Sequence, residues 1–458
     1  MSQDSERRPA NEPRVDDGLS RHSVRRAPPL PALVGTGVLA TIAVALLAIV
    51  LLRPTTPAAV ADTSPTPAPT PSPTNVAVAP TPSAASPSAT SSPSPTPAPT
   101  PSAALTPAPI PSGPAFLGWT EGVAPRSNVH DVTWLRDRWL AVGSLDGRAA
   151  IWTSTDGLTW TPSAEIDPDP VPVPEGGRAY WINSVIGFGD EMLAFGWNRI
   201  GCCDGGRAAM WRSADGVSWV FVDSDGTPFG DMYHFPIQAR IGPSGDLVLL
   251  SGIGLGSGAT IWTSADGSSW TEQPQPLWVE EPLVDLAAGP SLLMTVGYRG
   301  PFEERPVPAV WTSTDGRTWT SQPGPSTADE IRTVAYDPTR ERFVTGGQDV
   351  NGAPAMWLSS DGMNWTTVRL SQEAGAVTSV DAAAGLVVAT GYIGTDAGPW
   401  DGTVWSSHDG VTWAVAPLGP PGAGTPFVAA GDGAVTWFNA ADPDDLTVAR
   451  VWHGATQR

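Results

Sequence analysis

The densest group of chemically capable side chains begins at Tyr298. Arg299, Glu303, Glu304 and Arg305 follow it in the same stretch of chain. A phenol, two carboxylates and two guanidinium groups are types that could attack or protonate a glycosidic bond. Their spacing matches no recognised motif, and two adjacent carboxylates do not supply the fixed separation across a substrate that an acid–base pair needs. The plainer reading is a solvated loop. Cys202-Cys203, in the run NRIGCCDGG, could close a vicinal disulfide outside the cytoplasm, although the ring is strained; free thiols or an intermolecular bridge are the alternatives. Asp223-Ser224-Asp225-Gly226 could contribute to a Ca²⁺ loop but lacks the full spaced ligand set, so an acidic turn is expected. The five His are scattered. Two Cys and no His at metal spacing exclude a four-ligand zinc site. No metal and no cofactor is expected.

A different chemistry is open to the aromatic residues. The chain holds 21 Trp against 5 Tyr and 10 Phe. Trp197, Tyr298, Tyr392 and Phe438 end equivalent apolar runs, three of them directly after a Gly, and Trp181, Trp278 and Trp400 fall in neighbouring segments. Gathered on one rim, Trp181, Trp197, Trp278, Tyr298, Tyr392 and Trp400 could stack on sugars or clasp a protein segment. The structural alternative is that they pack between repeat units.

The elements that would position them are repeats. Six segments share the pattern W-x-S-x-D-G-x-x-W: IWTSTDGLTW from 151, MWRSADGVSW from 210, IWTSADGSSW from 261, VWTSTDGRTW from 310, MWLSSDGMNW from 356 and VWSSHDGVTW from 404. A broken seventh copy, VWHG, starts at 451. Each unit reads as four short β-rich runs separated by Gly and Asp turn residues, and none carries the periodicity of a normal helix. Four strands at this period are the signature of a β-propeller blade. The Asp-Gly pair has a mechanical explanation that needs no ligand. Gly supplies a positive φ, and the Ser and Asp oxygens accept turn N–H groups. The second Trp then covers the turn.

These turns resemble the Asp-box, or BNR, repeat of the sialidase-like propellers, here one residue shorter between Asp and Gly. The residues that carry the resemblance are Ser154, Asp156, Gly157 and Trp160; Ser213, Asp215, Gly216 and Trp219; Ser264, Asp266, Gly267 and Trp270; Ser313, Asp315, Gly316 and Trp319; Ser359, Asp361, Gly362 and Trp365; and Ser407, Asp409, Gly410 and Trp413. The resemblance implies that they are structural and lie on the face away from a ligand site. It would also imply three carboxylate-holding Arg, a Tyr–Glu pair, an acid Asp and an Arg-Ile-Pro segment if the chain were a sialidase. The nearest text to that segment, His234 to Arg240, does not fit, so no catalytic residue is assigned.

The last unit ends at Arg458 without a fourth strand, and Phe116 to Thr120 looks like the missing one. The expected fold is therefore all-β: a seven-bladed β-propeller of four-stranded blades over 115–458, closed by one N-terminal strand on three C-terminal ones. Six blades plus a cap is the alternative. Residues 1–29 read as a cytoplasmic tail with six Arg, and 30–52 as a transmembrane helix of 23 uncharged residues. Such a helix is about 35 Å long. Residues 53–114, with 19 Pro, read as a disordered stalk. Flanking charge places the N-terminus inside and the propeller outside the cell; secretion after cleavage near Ala61 is the alternative. A net charge of -21, with every basic residue an Arg, excludes a nucleic-acid footprint. The functional expectation is a membrane-anchored, monomeric surface binding module for an unknown glycan or protein, leaning away from catalysis. A sialidase-like exo-glycosidase is the alternative.

Overall fold

The computed structural model describes residues 113–456 except 116, 124–127, 146, 164–165, 167–178, 201–204, 223–233, 254–257, 274–281, 301–306, 395–400, 418–426, 432–433 and 441–448. The described residues form a β-propeller of four-stranded antiparallel sheets. Blade one is β2 (Asn128–Leu135), β3 (Arg138–Leu145), β4 (Arg148–Ser154) and β5 (Thr161–Pro162). Blade two is β6 (Ala179–Phe188), β7 (Glu191–Ile200), β8 (Gly205–Ser213) and β9 (Val220–Val222). Blade three is β10 (His234–Ile241), β11 (Leu247–Ile253), β12 (Ala259–Ser264) and β13 (Thr271–Glu272). Blade four is β14 (Leu283–Ala288), β15 (Leu293–Arg299), β16 (Val307–Ser313) and β17 (Thr320–Pro323). Blade five is β18 (Ala328–Asp337), β19 (Arg342–Asp349), β20 (Pro354–Ser359) and β21 (Thr366–Arg369). Blade six is β22 (Gly375–Ala383), β23 (Leu386–Ile393), β24 (Asp401–Ser407) and β25 (Ala414–Pro417).

The expectation of a seven-bladed ring behind a transmembrane helix is corrected on two points. Six blades, not seven, are continuous four-stranded units. The remaining sheet is a composite of β26 (Phe427–Gly431), β27 (Ala434–Ala440) and β28 (Ala449–Thr456) with β1 (Leu117–Gly122), which pairs antiparallel with β28. This closing sheet carries no Ser-x-Asp-Gly turn. Second, the described residues are strands and turns, and no helix among them is long and apolar enough to cross a membrane. The expected span at 30–52 and residues 53–112 of the expected stalk lie outside the described residues. Gly113 and Pro114, assigned to the stalk, already touch the ring. Gly113 N–H donates to Asp409 Oδ2 (2.9 Å), and His408 N–H donates to Gly113 O (2.8 Å).

The core lies between blades, where both faces of each sheet are covered. The first Trp of the repeat pattern fills it: Trp152, Trp211, Trp311, Trp357 and Trp405 are fully buried. Trp211, for example, packs among Met192, Ile182, Val185 and Tyr180 of its own blade and Leu140 and Val142 of the previous one. Each such indole removes a large apolar area from water, the main favourable term in a fold with no single central core.

The chain direction sets two rims. Within a blade, tight turns join the first strand to the second and the Ser-x-Asp-Gly turns join the third to the fourth, all at one rim. The connections from second to third strand, and from one blade to the next, lie at the other.

Candidate functional site: the rim that bears the connections

The innermost strand of each continuous blade breaks register near this second rim. The unmatched residues are His130 on β2, Asn183 on β6, Ile237 on β10, Val284 on β14, Asp329 and Arg332 on β18, and Thr378 on β22. A bulge brings the inner backbone against the second strand, and there glycine is needed. A Cβ on Gly196 would stand 1.8 Å from Trp181 O, one on Gly297 2.2 Å from Pro282 O, and one on Gly391 2.0 Å from Ala376 O. This is the physical reason for the Gly that precedes Trp197, Tyr298 and Tyr392. The same glycine that admits the bulge delivers an aromatic residue to the rim.

Two arcs result. In blades two and three, Trp181 and Trp197 are direct cross-strand partners with ring centroids 4.7 Å apart and planes at 32°. Phe235 continues the surface, 6.2 Å from Trp197. Both Trp are half-buried. Below them His130 donates to Asn183 Oδ1 (3.1 Å), and Asn183 Nδ2 donates to Pro236 O (2.8 Å). Burial holds the His130 imidazole below its ordinary pKa, so it is neutral at pH 7. In blades four to six, Arg332 stands among Tyr298, Tyr392 and Glu330. Its Nε and guanidinium NH2 donate to Glu330 Oε2 at 2.8 and 2.5 Å. Burial opposes the Arg332 charge, but Glu330 and the two phenols outweigh it and hold its pKa up. Burial, and then the Glu330 charge, push the Tyr298 phenol well above its ordinary value.

Deeper on the inner strands, side chains tie each blade to the next. Val334 N–H and Thr333 Oγ1 donate to Asp285 Oδ2 (2.8 and 3.0 Å). Val380 N–H donates to Thr333 Oγ1 (3.2 Å), and Ala430 N–H donates to Asp381 Oδ2 (2.8 Å). Ala239 N–H donates to Ser184 Oγ (3.2 Å). Asp131 occupies the register position of Asp285 one arc earlier. Burial first, then the charges of Asp285 and Asp381, raise its pKa to about 7 against the opposing pull of Arg240. Asp285 and Asp381 are raised by burial as well. One guanidinium thus faces three carboxyl groups.

The opposite rim is chemically saturated. In blade one, Gly157 N–H donates to Ser154 Oγ (2.9 Å), while Leu158 and Thr159 N–H donate to Asp156 Oδ1 (2.9 and 2.8 Å). Trp160 Nε1 donates to Gly157 O (3.2 Å), and Gly157 sits at φ 69°. The Ser and Asp bonds recur at Ser213/Asp215, Ser264/Asp266, Ser313/Asp315, Ser359/Asp361 and Ser407/Asp409. Arginines then bind one turn to the next blade. Arg136 donates to Asp190 O (2.7 Å) and Gly189 O (2.8 Å), and Arg317 pairs with Asp246 (2.6 Å).

Of the residues expected at the rim, the structure brings together Trp181 and Trp197, and separately Tyr298 and Tyr392 around Arg332. Trp278, Trp400, Cys202, Cys203, Glu303, Glu304 and Arg305 lie outside the described residues, as does the acidic turn at Asp223. Among the described residues no group of three His, Cys, Asp or Glu is placed to hold a metal ion. Sequence reasoning missed Asp131, Arg240, Asp285, Arg332 and Asp381. Their signal was a charged residue inside an otherwise apolar inner strand, as in Val284-Asp285-Leu286.

No family model and no curated protein matches the chain. Solved structures do. A YCF48 protein bound to a D1 peptide is 17% identical over 76% of this chain and 98% of that one, at a TM-score of 0.49. A Trypanosoma rangeli sialidase mutant displaying trans-sialidase activity is 14% identical over 65% of this chain and 57% of that one, at 0.42. A PL25 ulvan lyase is 10% identical over 75% and 94%, at 0.43. These are likenesses of fold, and no functional argument rests on them. The described residues form an all-β propeller.

Proposed function

We propose that this protein is a non-catalytic binding module, held outside the cell by the apolar segment 30–52 and presenting the connection-bearing rim to its ligand. The Ser-x-Asp-Gly-x-x-Trp turns are then Asp-boxes with a purely structural role on the other rim. The observation that carries this reading is the stacked, half-buried Trp181–Trp197 pair with Phe235 beside it. These rings are half-buried and leave part of their flat apolar faces exposed, which is the composition of a recognition hot spot.

The test is a glycan array and a pull-down with the full-length chain, run beside Trp181→Ala and Trp197→Ala. Retained ligand that is lost in both variants supports the reading. Turnover of sialosides or aryl glycosides that disappears in Tyr298→Phe contradicts it. Protease digestion of whole cells tests the topology, because a protected propeller contradicts an outside location.

A further inference from the structure

The aromatic surface lies on blades two and three, and one hydrogen-bond relay joins both to blade one. His130 is the bulge residue of β2, Asn183 is that of β6, and Pro236 directly precedes the bulge of β10. Asn183 Nδ2 donates to Pro236 O (2.8 Å), which leaves its Oδ1 to accept, so the bonded His130 Nδ1 (3.1 Å) carries the proton. Pro236 follows Phe235, and Asn183 lies two residues after Trp181. Phe235 in turn lies over Gly252, where a Cβ would stand 2.2 Å from its ring. The relay thus sets where Phe235 stands relative to the Trp181–Trp197 pair.

His130 is the titratable member of the relay. Of the strands packed against β2, β26 and β27 carry no titratable residue, β6 carries Tyr180, and β3 carries Arg138 at its far end, opposite Leu135. Asp131 follows His130 on β2 itself. Asn183 and the Ile182 backbone favour the charged imidazole, but burial outweighs them and keeps the ring neutral at pH 7. Protonation in acid adds an N–H at Nε2 and a charge where burial disfavours it. The imidazole is then drawn toward water, and its bond to Asn183 is what it gives up.

We propose that His130 and Asn183 are positioning residues for the Trp181–Trp197–Phe235 surface, and that protonation of His130 loosens it, so that the rim holds its ligand at neutral pH and releases it in acid. This rests on the binding reading above and adds its regulation. Both residues act through the placement of the rings, not by touching the ligand.

The test reads the rings without a ligand. The full-length chain is labelled with 5-fluorotryptophan, and the fluorine NMR resonances of Trp181 and Trp197 are assigned from Trp181→Phe and Trp197→Phe. From about pH 7.5 down to about pH 4.5 both resonances should shift together, with one midpoint below about 6.5. His130→Gln, whose amide can donate to Asn183 and does not titrate, should hold both at their neutral positions across that range. Asn183→Ala should place them at their acid positions already at about pH 7.5. Circular dichroism melting should show each variant folded; if Asn183→Ala unfolds, the parent and His130→Gln series decides alone. Resonances that titrate alike in the parent and in His130→Gln, or that stay fixed in the parent, overturn the proposal, as does a folded Asn183→Ala with unmoved resonances. Each of these results leaves the binding reading to its own array and pull-down, which are read on Trp181→Ala and Trp197→Ala at neutral pH.

Discussion

The two rims of this ring use the same residue type in opposite ways. On the rim of the turns, aspartates lie at the surface and accept backbone N–H groups. Hydrogen bonds from Ser218 and Val217 hold Asp215 at about 2, and those from Ser269 and Ser268 hold Asp266 at about 2. On the inner strands toward the other rim, burial lifts Asp131 to about 7 and raises Asp285 and Asp381. The first set is built to be charged and satisfied within three residues of itself. The second takes one backbone N–H from the next residue, Leu286 for Asp285 and Ala382 for Asp381, but its remaining bonds come from the neighbouring blade. A local device can be repeated six times without cost to function, whereas a device that depends on the neighbour can differ from blade to blade, and here it does.

The sharpest way to break the contrast is at the glycines that admit the bulges. Gly196→Ala forces a Cβ onto Trp181 O, and should cost about 3 kcal/mol in chemical denaturation and abolish rim binding together. An unchanged melting curve would show that the bulge is not required.

The next effect is a pH dependence of opposite sign for the two aspartate sets. Between about pH 4 and pH 7 the folded chain keeps a proton on Asp131 that the unfolded chain has released. Its contribution therefore favours folding at low pH and declines as pH rises toward about 7. Asp131→Asn removes that decline. It should stabilise the protein by about 1–2 kcal/mol at pH 8 and change little at pH 4. The turn aspartates act the other way: their stabilisation is present above about pH 4 and is lost as pH falls toward 2. A melting series from pH 2 to pH 9 checks both, and a variant stabilised equally at both ends would remove Asp131 from the account.

Smaller still is the loss of one hydroxyl. Ser313→Ala leaves the buried Gly316 N–H without its acceptor and should cost about 1 kcal/mol, with ligand retention unchanged. The smallest effect on stability belongs to Trp197→Phe, below about 0.5 kcal/mol, because the ring is half-exposed and a stacked aromatic remains.

The same contrast explains what was legible in the sequence. Ser154, Asp156 and Gly157 declare themselves because the turn bonds they make close within three residues. Strand order, the antiparallel blades and the role of Leu117 to Gly122 on the last sheet follow from that repeat. Residues 1–112, the expected tail, helix and most of the stalk, lie outside the described residues, and the closing sheet is not a seventh copy of the unit. Trp181 and Trp197 were readable as rim residues from the spacing of apolar runs, but their stacking depends on a cross-strand register. Asp131, Arg240, Asp285 and Asp381 show in the sequence only as charges inside apolar runs; their meeting was not readable, because the inter-blade donors to Asp285 and Asp381 lie 48 or more residues away. Arg332 was hidden by a bulge that no local pattern announces.

The central claim is that binding belongs to one rim and stability to the other. It is tested most directly by measuring ligand retention and melting temperature on the same two proteins, Trp197→Ala and Asp315→Ala. The account predicts that Trp197→Ala loses the ligand and melts near the parent temperature, while Asp315→Ala melts lower and keeps the ligand. Ligand lost in Asp315→Ala while folded, and kept in Trp197→Ala, would contradict it.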